Sequence, residues 1–370
     1  MFLGVDIGTS AVKAVILDPV NRVVDQASAE LTVSHPGPLM SEQDPEEWWT
    51  ATRRAVTALA ARYRRDVIAI GLAGQMHGAT VLDARGEPLR PAILWNDGRS
   101  GAECRLLESE VPALIQITGN RAAAGFTAPK LLWIRRYEPD IFARIRRVLL
   151  PKDYVRWRLA GEYASDMSDA AGTLWLDTGR RAWSDELLGA CGLDRSAMPQ
   201  LFEGPDVTAS LTSSVADELG LSRVPIVAGA GDNAAAAIGC GVIRRGEALL
   251  SLGTSGVIFV ADDRYRPHPN GETHTFCHAL PQRWHQMSVM LSAAGAIEWA
   301  AQTLGFGSAA NLVAAAEARG KPCDTEYFLP YLAGERTPHN DPHAKGVFFG
   351  LTARTDRRAL AQAVLEGVGY

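Results

Sequence analysis

The sequence predicts an α/β chain built from two related lobes, and two observations carry that prediction. Its opening fifth reads strand, strand, strand, helix, strand. Within it, the strand–Gly-Thr-Ser–strand stretch Phe2–Asp18 recurs 245 residues later at Ala248–Asp262, ALLSLGTSGVIFVAD. A repeat at domain scale implies two lobes of similar construction. Length agrees, since 370 residues exceed what one small core organises. Three antiparallel strands, a helix and a further strand make the core of a ribonuclease-H-like unit. The expected fold is therefore two such domains with a cleft between them.

Each element has its own reason. Phe2–Ile7 and Ala11–Leu17 are β-rich runs joined by Gly8-Thr9-Ser10. Glycine lets a backbone approach an anion, and the neighbouring amides and hydroxyls then donate to it, so this turn reads as a phosphate cradle. Asp6 stands at its mouth, where a carboxylate holds Mg²⁺ through water. An ordinary hairpin turn is the alternative. Arg22–Val33 reads as a third strand. Asp44-Pro45-Glu46-Glu47 then opens a helix with an Asp cap, Pro at the first position and an acidic first turn. Trp48, Thr52, Ala55, Val56, Leu59 and Tyr63 recur along it at helical spacing. Asp66–Ala73 is apolar and β-branched, as a buried strand is.

Beyond that unit, Ala79–Leu82 and Pro91–Trp95 flank a turn at Gly86, and helical patterns fill much of Ser100–Leu159. Pro199–Ser210 and Val224–Ala228 read as strands around a helix near Ser213–Leu219. Ala234–Gly239 begins a small-residue helix. A composition shift at Ile243–Gly246 sets the expected domains at 1–244 and 245–370. In the second, Trp284–Met290 reads as a strand, and Ser292–Leu304 and Ser308–Arg319 as helices. The polar loop Gly334–Lys345 is rich enough in donors to close on a phosphate, or simply decorates the surface. From Thr355 a capped helix places Ala359, Leu360, Ala363, Val364 and Val368 on one face. The pattern stops at Tyr370 without a polar tail, as expected of a piece of a longer chain.

Composition narrows the partners. The chain is 47% hydrophobic and 21% charged, with net charge −5 and no block of like charges. That argues against nucleic acid or an anionic membrane as partner. Cys104, Cys191, Cys240, Cys277 and Cys323 are scattered without a CxxC pair, which suits reduced thiols in a cytoplasm and neither a disulfide frame nor a zinc site. No apolar run reaches spanning length. A homodimer is left open.

The chemistry concentrates at Val227–Ala234, VAGAGDNA: a strand, a glycine-rich turn, then Asp232-Asn233 at a helix start. Asp232 is either a helix cap or a general base, and two features favour the base. Gly229 and Gly231 strip side chains from the approach, and the turn follows a buried strand, where α/β folds place ligands. A carboxylate there accepts a hydroxyl proton during in-line attack on a γ-phosphate, and the helix N-terminus is expected to keep it ionised. Gly74–Thr80 offers Gln75, Met76 and His77 between glycines, a structural histidine being the alternative. Trp95-Asn96-Asp97 suits a polyhydroxylated ligand, with Trp95 as core residue the alternative. Walker A, dinucleotide, zincin and serine-hydrolase motifs do not occur.

Taken together, VDIGTSAVK, SEQDPEEWW, AGQMHGAT, RPAILWNDGR, GFTAPKLLW, LLPKDYVRWRLAGEYASDMSDAAGT, GDNAA, LSLGTSG, FCHALPQRWHQMSVMLSAA and GERTPHNDPHAKGVFFGL resemble the FGGY carbohydrate kinases. These belong to the actin/hexokinase/Hsp70 superfamily, and the resemblance runs from residue 2 to 370. It implies ATP-dependent phosphorylation of D-xylulose to D-xylulose 5-phosphate, with Asp232 as catalytic base. It implies Met76, His77, Trp95, Asp232 and Asn233 around the sugar. Gly8, Thr9, Ser10 and Lys13, with Gly253, Thr254 and Ser255 of the other lobe, would address the ATP phosphates, and Asp6 the Mg²⁺. Ribulose or another ketose or polyol is the alternative acceptor. A nucleotide-gated binding protein of the actin/Hsp70 type is the alternative from another class. Two departures stand out: the family often has three glycines where this chain has Gly229-Ala230-Gly231, and its adenosine motif lies beyond the helix on which the chain stops.

Overall fold

Alternation along the first strands decides which way they face. In the computed structural model, which describes residues 1–270, 272–341 and 343–370, β1 (Phe2–Ile7) pairs antiparallel with β2 (Ala11–Leu17). β2 in turn pairs antiparallel with β3 (Val23–Glu30). Leu3, Val5 and Ile7, with Val12, Ala14 and Ile16, point into the core, so Asp6 and Lys13 share the opposite face as cross-strand partners. Helix α1 (Pro45–Ala58) covers the core face with Trp48, Ala51, Ala55 and Val56. Its cap is as expected: Asp44 accepts the Glu46 amide, and Pro45 is the first helical residue.

The strand Ala69–Gly74 joins β1 on its other side, parallel and residue for residue from Phe2↔Ala69 to Ile7↔Gly74. Pro225–Val227 and Val207–Ser210 extend the sheet beyond it, and the two-residue strand Ala230–Gly231 pairs with Ala73 and Gly74.

Chain contacts divide the molecule into two compact units. The first comprises Met1–Arg245, Ala261–Gly271 and Thr275–His285. The second comprises Gly246–Val260, Glu272–His274 and Gln286–Tyr370. Ala248–Leu252 and Gly256–Asp262 form an antiparallel hairpin, whose ladder, residues 248–260, lies in the second unit. The helices Ala294–Thr303, Ala309–Glu317 and Arg357–Gly369 gather around Ala296, Ala300, Leu312, Phe328, Ala361 and Val364. Small side chains bring these backbones close; a Cβ on Gly367 would collide with the carbonyl of Phe328. The last helix is capped by Asp356, which accepts the Ala359 amide at 2.8 Å.

Three expectations need correction. The run from Trp48 to Tyr63 is two helices, not one, because the Asp25 carboxylate of β3 takes the Ala60 amide at 2.7 Å and ends α1. The buried strand begins at Ala69 because turn hydrogen bonds from Asp66 and Val67 to Tyr63 and Arg64 hold its first residues out of the ladder. Pro199–Ser210 is two strands. Gly204-Pro205 interrupts it, and Gln200–Phe202 pairs with Ala164–Asp166 away from the large sheet. The Gly334–Lys345 loop, apart from Pro342, which lies outside the described residues, is pinned to its own unit: Glu335 accepts the Leu291 amide and Thr337 Oγ1 that of Val289, each at 3.0 Å.

Gly229 has a positive φ of 81°, and a Cβ there would collide with the Leu72 carbonyl oxygen. Glycine is thus required for packing against the neighbouring strand, whereas the buried Ala230 fits the turn. Gly229→Ala is expected to lower the free energy of unfolding by about 2 kcal/mol or more, read from urea denaturation.

Candidate active site

The first turn is held from behind by side chains. Thr9 Oγ1 donates to Gln75 Oε1 at 3.0 Å and accepts the Trp95 indole N–H at 2.9 Å. Gln43 Nε2 donates to the Thr9 carbonyl at 2.8 Å, and Gln43 Oε1 accepts from Gln75 and Trp48. The single proton of the Thr9 hydroxyl is therefore committed, which leaves Ser10, exposed at the tip, as the turn's side-chain donor. Half-buried Trp95 spends its polar edge on this turn. Gln43 received no role from the sequence, although it sits inside the SEQDPEEWW block.

Asp6 lies beside this turn, and burial raises its pKa against the pull of Lys13. Among the described residues its buried Oδ1 has no hydrogen-bond partner. An orphaned acceptor on a lone carboxylate fits a hydrated Mg²⁺, which keeps most of its shell as water and phosphate oxygen. A cavity of ≈ 660 Å³ opens here in the first unit, between Asp6, Lys13, Val15, Leu72, Ala230 and Ile238.

Asp232 is the first residue of the helix Asp232–Gly239, with Gly231 in the cap position, so the cap alternative does not hold. Its Oδ1 accepts the Asn233 amide at 2.7 Å and Asn233 Nδ2 at 2.9 Å. The residue is open to solvent, yet protein crowds its carboxyl from behind. That crowding, and then the nearby Asp6, push its pKa up to about 6 against the Asn233 hydrogen bonds. Desolvation outweighs the lowering by the Asn233 hydrogen bonds, so the carboxyl is more basic than its place at a helix start alone leads one to expect.

Met76 and His77 are buried in the turn that follows Ala69–Gly74. Met76 packs on Gly231, where a Cβ would come within 2.9 Å of its Cγ. That contact gives Gly231 a packing role too. His77 has a left-handed backbone with φ 69°. Its Nδ1 lies 2.6 Å from the Gly172 carbonyl, and its own carbonyl accepts from Thr127 Oγ1 at 3.1 Å and buried Lys130 Nζ at 2.9 Å. The ring meets Phe126 edge-on at 4.6 Å.

Behind these residues lies a cluster that the sequence did not single out. Lys152 Nζ is 2.5 Å from Asp153 Oδ1, 2.9 Å from Asp166 Oδ2 and 3.7 Å from Asp169 Oδ2, all four side chains being buried. Burial alone would lower the lysine's pKa, but the three carboxyls more than offset it. Asp169 is pushed well above the carboxylate range, by burial first and then by Asp153, Asp166 and Asp232 around it, with Lys152 opposing. The signal was the Asp166/Asp169 spacing in YASDMSDAAG, which reads as solvated charge until the fold buries it.

In the second unit, the turn Gly253-Thr254-Ser255 has its own closure. Gly253 N–H donates to the Ser255 carbonyl at 2.9 Å, while the Gly253 and Thr254 carbonyls each accept an amide from Ala293–Gly295 at the start of the next helix. It is one residue tighter than the first turn: Leu252 pairs with Gly256 across three residues, Ile7 with Val12 across four.

Comparison with known proteins decides the family. Residues 1–239 match the N-terminal domain of the FGGY family of carbohydrate kinases, and residues 248–370 its C-terminal domain. The chain belongs to the FGGY family of carbohydrate kinases. It is 57% identical over 371 aligned residues to a xylulose kinase of Escherichia coli (strain K12), covering 100% of this chain and 77% of that protein. Among solved structures, a xyloylose kinase from Brucella ovis superposes with TM-score 0.94 at 52% identity, covering 99% of this chain and 76% of that one. A gluconate kinase from Lactobacillus acidophilus superposes with TM-score 0.93 at 25% identity, covering 99% and 75%. The fold is the two-domain, actin/hexokinase-like α/β fold, and ATP is the phosphoryl donor of a kinase of this family. Among the described residues, no helix of this FGGY protein is long and apolar enough to cross a membrane.

The raised pKa of Asp232 has a cost to the fold that can be read directly. Below the unfolded carboxyl's value of 3.8 both states are protonated and the cost vanishes; it grows as pH rises from there through about 6, where the folded carboxyl must ionise. Asp232→Asn is therefore expected to raise the melting temperature at pH 7 to 8, with the gain shrinking as pH falls towards 4. Differential scanning calorimetry across that range checks it.

Proposed function

We propose that this FGGY kinase transfers the γ-phosphoryl group of ATP to the 5-hydroxyl of D-xylulose, giving D-xylulose 5-phosphate and ADP. The observation that carries the reading is the placement of Asp232: open to solvent, beside Asp6, at the end of a strand in register with the first turn. Identity of 57% to a named xylulose kinase over the whole chain supports the choice of sugar.

In this mechanism Met76 and His77 hold the sugar's apolar and hydroxylated edges, with Asn233 and Trp95 beside them. Asp232 accepts the 5-hydroxyl proton as the O5–P bond forms and the bond from the γ-phosphorus to the β,γ-bridging oxygen breaks. A base with pKa about 6 is ionised at neutral pH and basic enough to orient the hydroxyl. Lys13, Ser10 and the amides of the first turn, in the first domain, 1–244, address phosphate oxygens, and Gly253, Thr254 and Ser255 repeat that turn's sequence in the second domain, 245–370. Mg²⁺, when bound through water to Asp6, supplies neutralising charge to the β- and γ-phosphates. The reaction belongs in the cytoplasm, which the five free thiols suit. A different acceptor is the second reading, favoured by the gluconate kinase among the structural neighbours.

A panel of D-xylulose, D-ribulose, gluconate and glycerol at fixed ATP tests both. The expected outcome is the highest kcat/KM with D-xylulose; a higher value for another acceptor overturns the sugar assignment. Asp232→Ala should lower kcat by roughly 10²–10⁴-fold with the fold intact by circular dichroism. In the native enzyme kcat/KM should fall about tenfold per unit of pH once pH drops below the base's pKa.

A further inference from the structure

A buried polar chain ends on the backbone immediately before Asp232. Lys152, Asp166 and Ser168 are at most 1% exposed. Lys152 Nζ sits 2.9 Å from Asp166 Oδ2. Asp166 Oδ1 accepts the Ser168 hydroxyl at 2.5 Å and the Ser168 amide at 2.8 Å, which caps the short helix Met167–Ala171. Ser168 Oγ then accepts the Gly231 N–H at 3.1 Å.

The direction of each bond follows from chemistry. A serine has one proton, and Asp166 claims it, so a lone pair of Oγ is turned to the Gly231 amide. The Lys152 ammonium supplies the opposite charge on the other carboxyl oxygen, which keeps Asp166 an acceptor in a place without water. Gly231 is the cap residue of the Asp232 helix, so its amide lies outside that helix's own hydrogen-bond ladder. Its glycine backbone has no side chain to brace it. The Ser168 hydroxyl therefore supplies a fixed point one peptide away from the carboxyl.

We propose that Ser168, oriented by Asp166 and Lys152, is a positioning residue for Asp232. The proposal rests on the reading of Asp232 as the base, and on geometry that the phosphoryl-transfer scheme does not use. Displacement of a reacting group by about 1 Å costs up to roughly a hundredfold in rate, so a loosened turn should appear in kcat.

Ser168→Ala tests it. The expected result is a fall in kcat of about tenfold or more, with KM for ATP within about twofold of the native value. Amide hydrogen exchange at Gly231 should become faster in the same variant. Ser168→Thr keeps the hydroxyl and should return both readings towards native. Asp166→Asn, close to isosteric, should give a smaller loss in the same direction. As a control, Val56→Ala in α1 weakens the core far from this turn and should lower the melting temperature without moving kcat or Gly231 exchange. Native kcat and native Gly231 exchange in folded Ser168→Ala, with Asp232→Asn inactive, overturn this proposal alone. Normal turnover in Asp232→Asn removes the base reading and this proposal with it.

Discussion

Three parallel strand ends in register determine where the chemistry can be. Ile7 pairs with Gly74, and Gly74 pairs with Gly231. The residues that follow are Gly8 of the first turn, Gln75 ahead of Met76-His77, and Asp232. Hydrogen bonding between backbones thus fixes the proposed phosphate turn, the proposed sugar contacts and the proposed base at one end of one sheet. A slip of one residue in the pairing of β1 with Ala69–Gly74 would turn Asp6 into the core and Leu3, Val5 and Ile7 out of it, so burial of those three protects the alignment. Side-chain bonds among Thr9, Gln43, Gln75 and Trp95 refine it.

That end carries more negative charge than neutral side chains would impose. Asp6 adds to the rise in the Asp232 pKa, and Asp153, Asp166 and Asp169 lie behind with Lys152 as their buried cation. Such an arrangement is poor for stability and useful for acid–base chemistry: crowding carries the Asp232 carboxyl to a basicity that a surface aspartate lacks.

The sequence made much of this legible because the signals are local. Alternation from Phe2 to Leu17, the Asp44-Pro45 helix start and the Gly-Asp-Asn turn each depend on a few neighbouring residues. Longer reach was less legible. The break in the helix run at Leu59 depends on Asp25, some 35 residues earlier, and the split of Pro199–Ser210 on packing around Gly204. At the candidate site, Asp232 and Met76-His77 stood out by their glycines, yet those glycines are needed where Leu72 and Met76 press on them. The pKa of Asp232 ran opposite to the helix-dipole expectation because burial is invisible to local pattern. The Ser168 contact joins positions 63 residues apart and leaves no periodic trace.

The two Gly-Thr-Ser hairpins look interchangeable on paper, but the first spans four residues between paired positions and the second three. Grafting one loop onto the other's strands would shift the returning strand by one place and reverse its inner and outer faces. Buried Phe259 would then be thrown to the surface and half-exposed Ile258 driven inward. The echo that reveals two lobes is thus not a spare part: each hairpin is machined to its own sheet, and recombination between the lobes would have to carry whole strands with their turn.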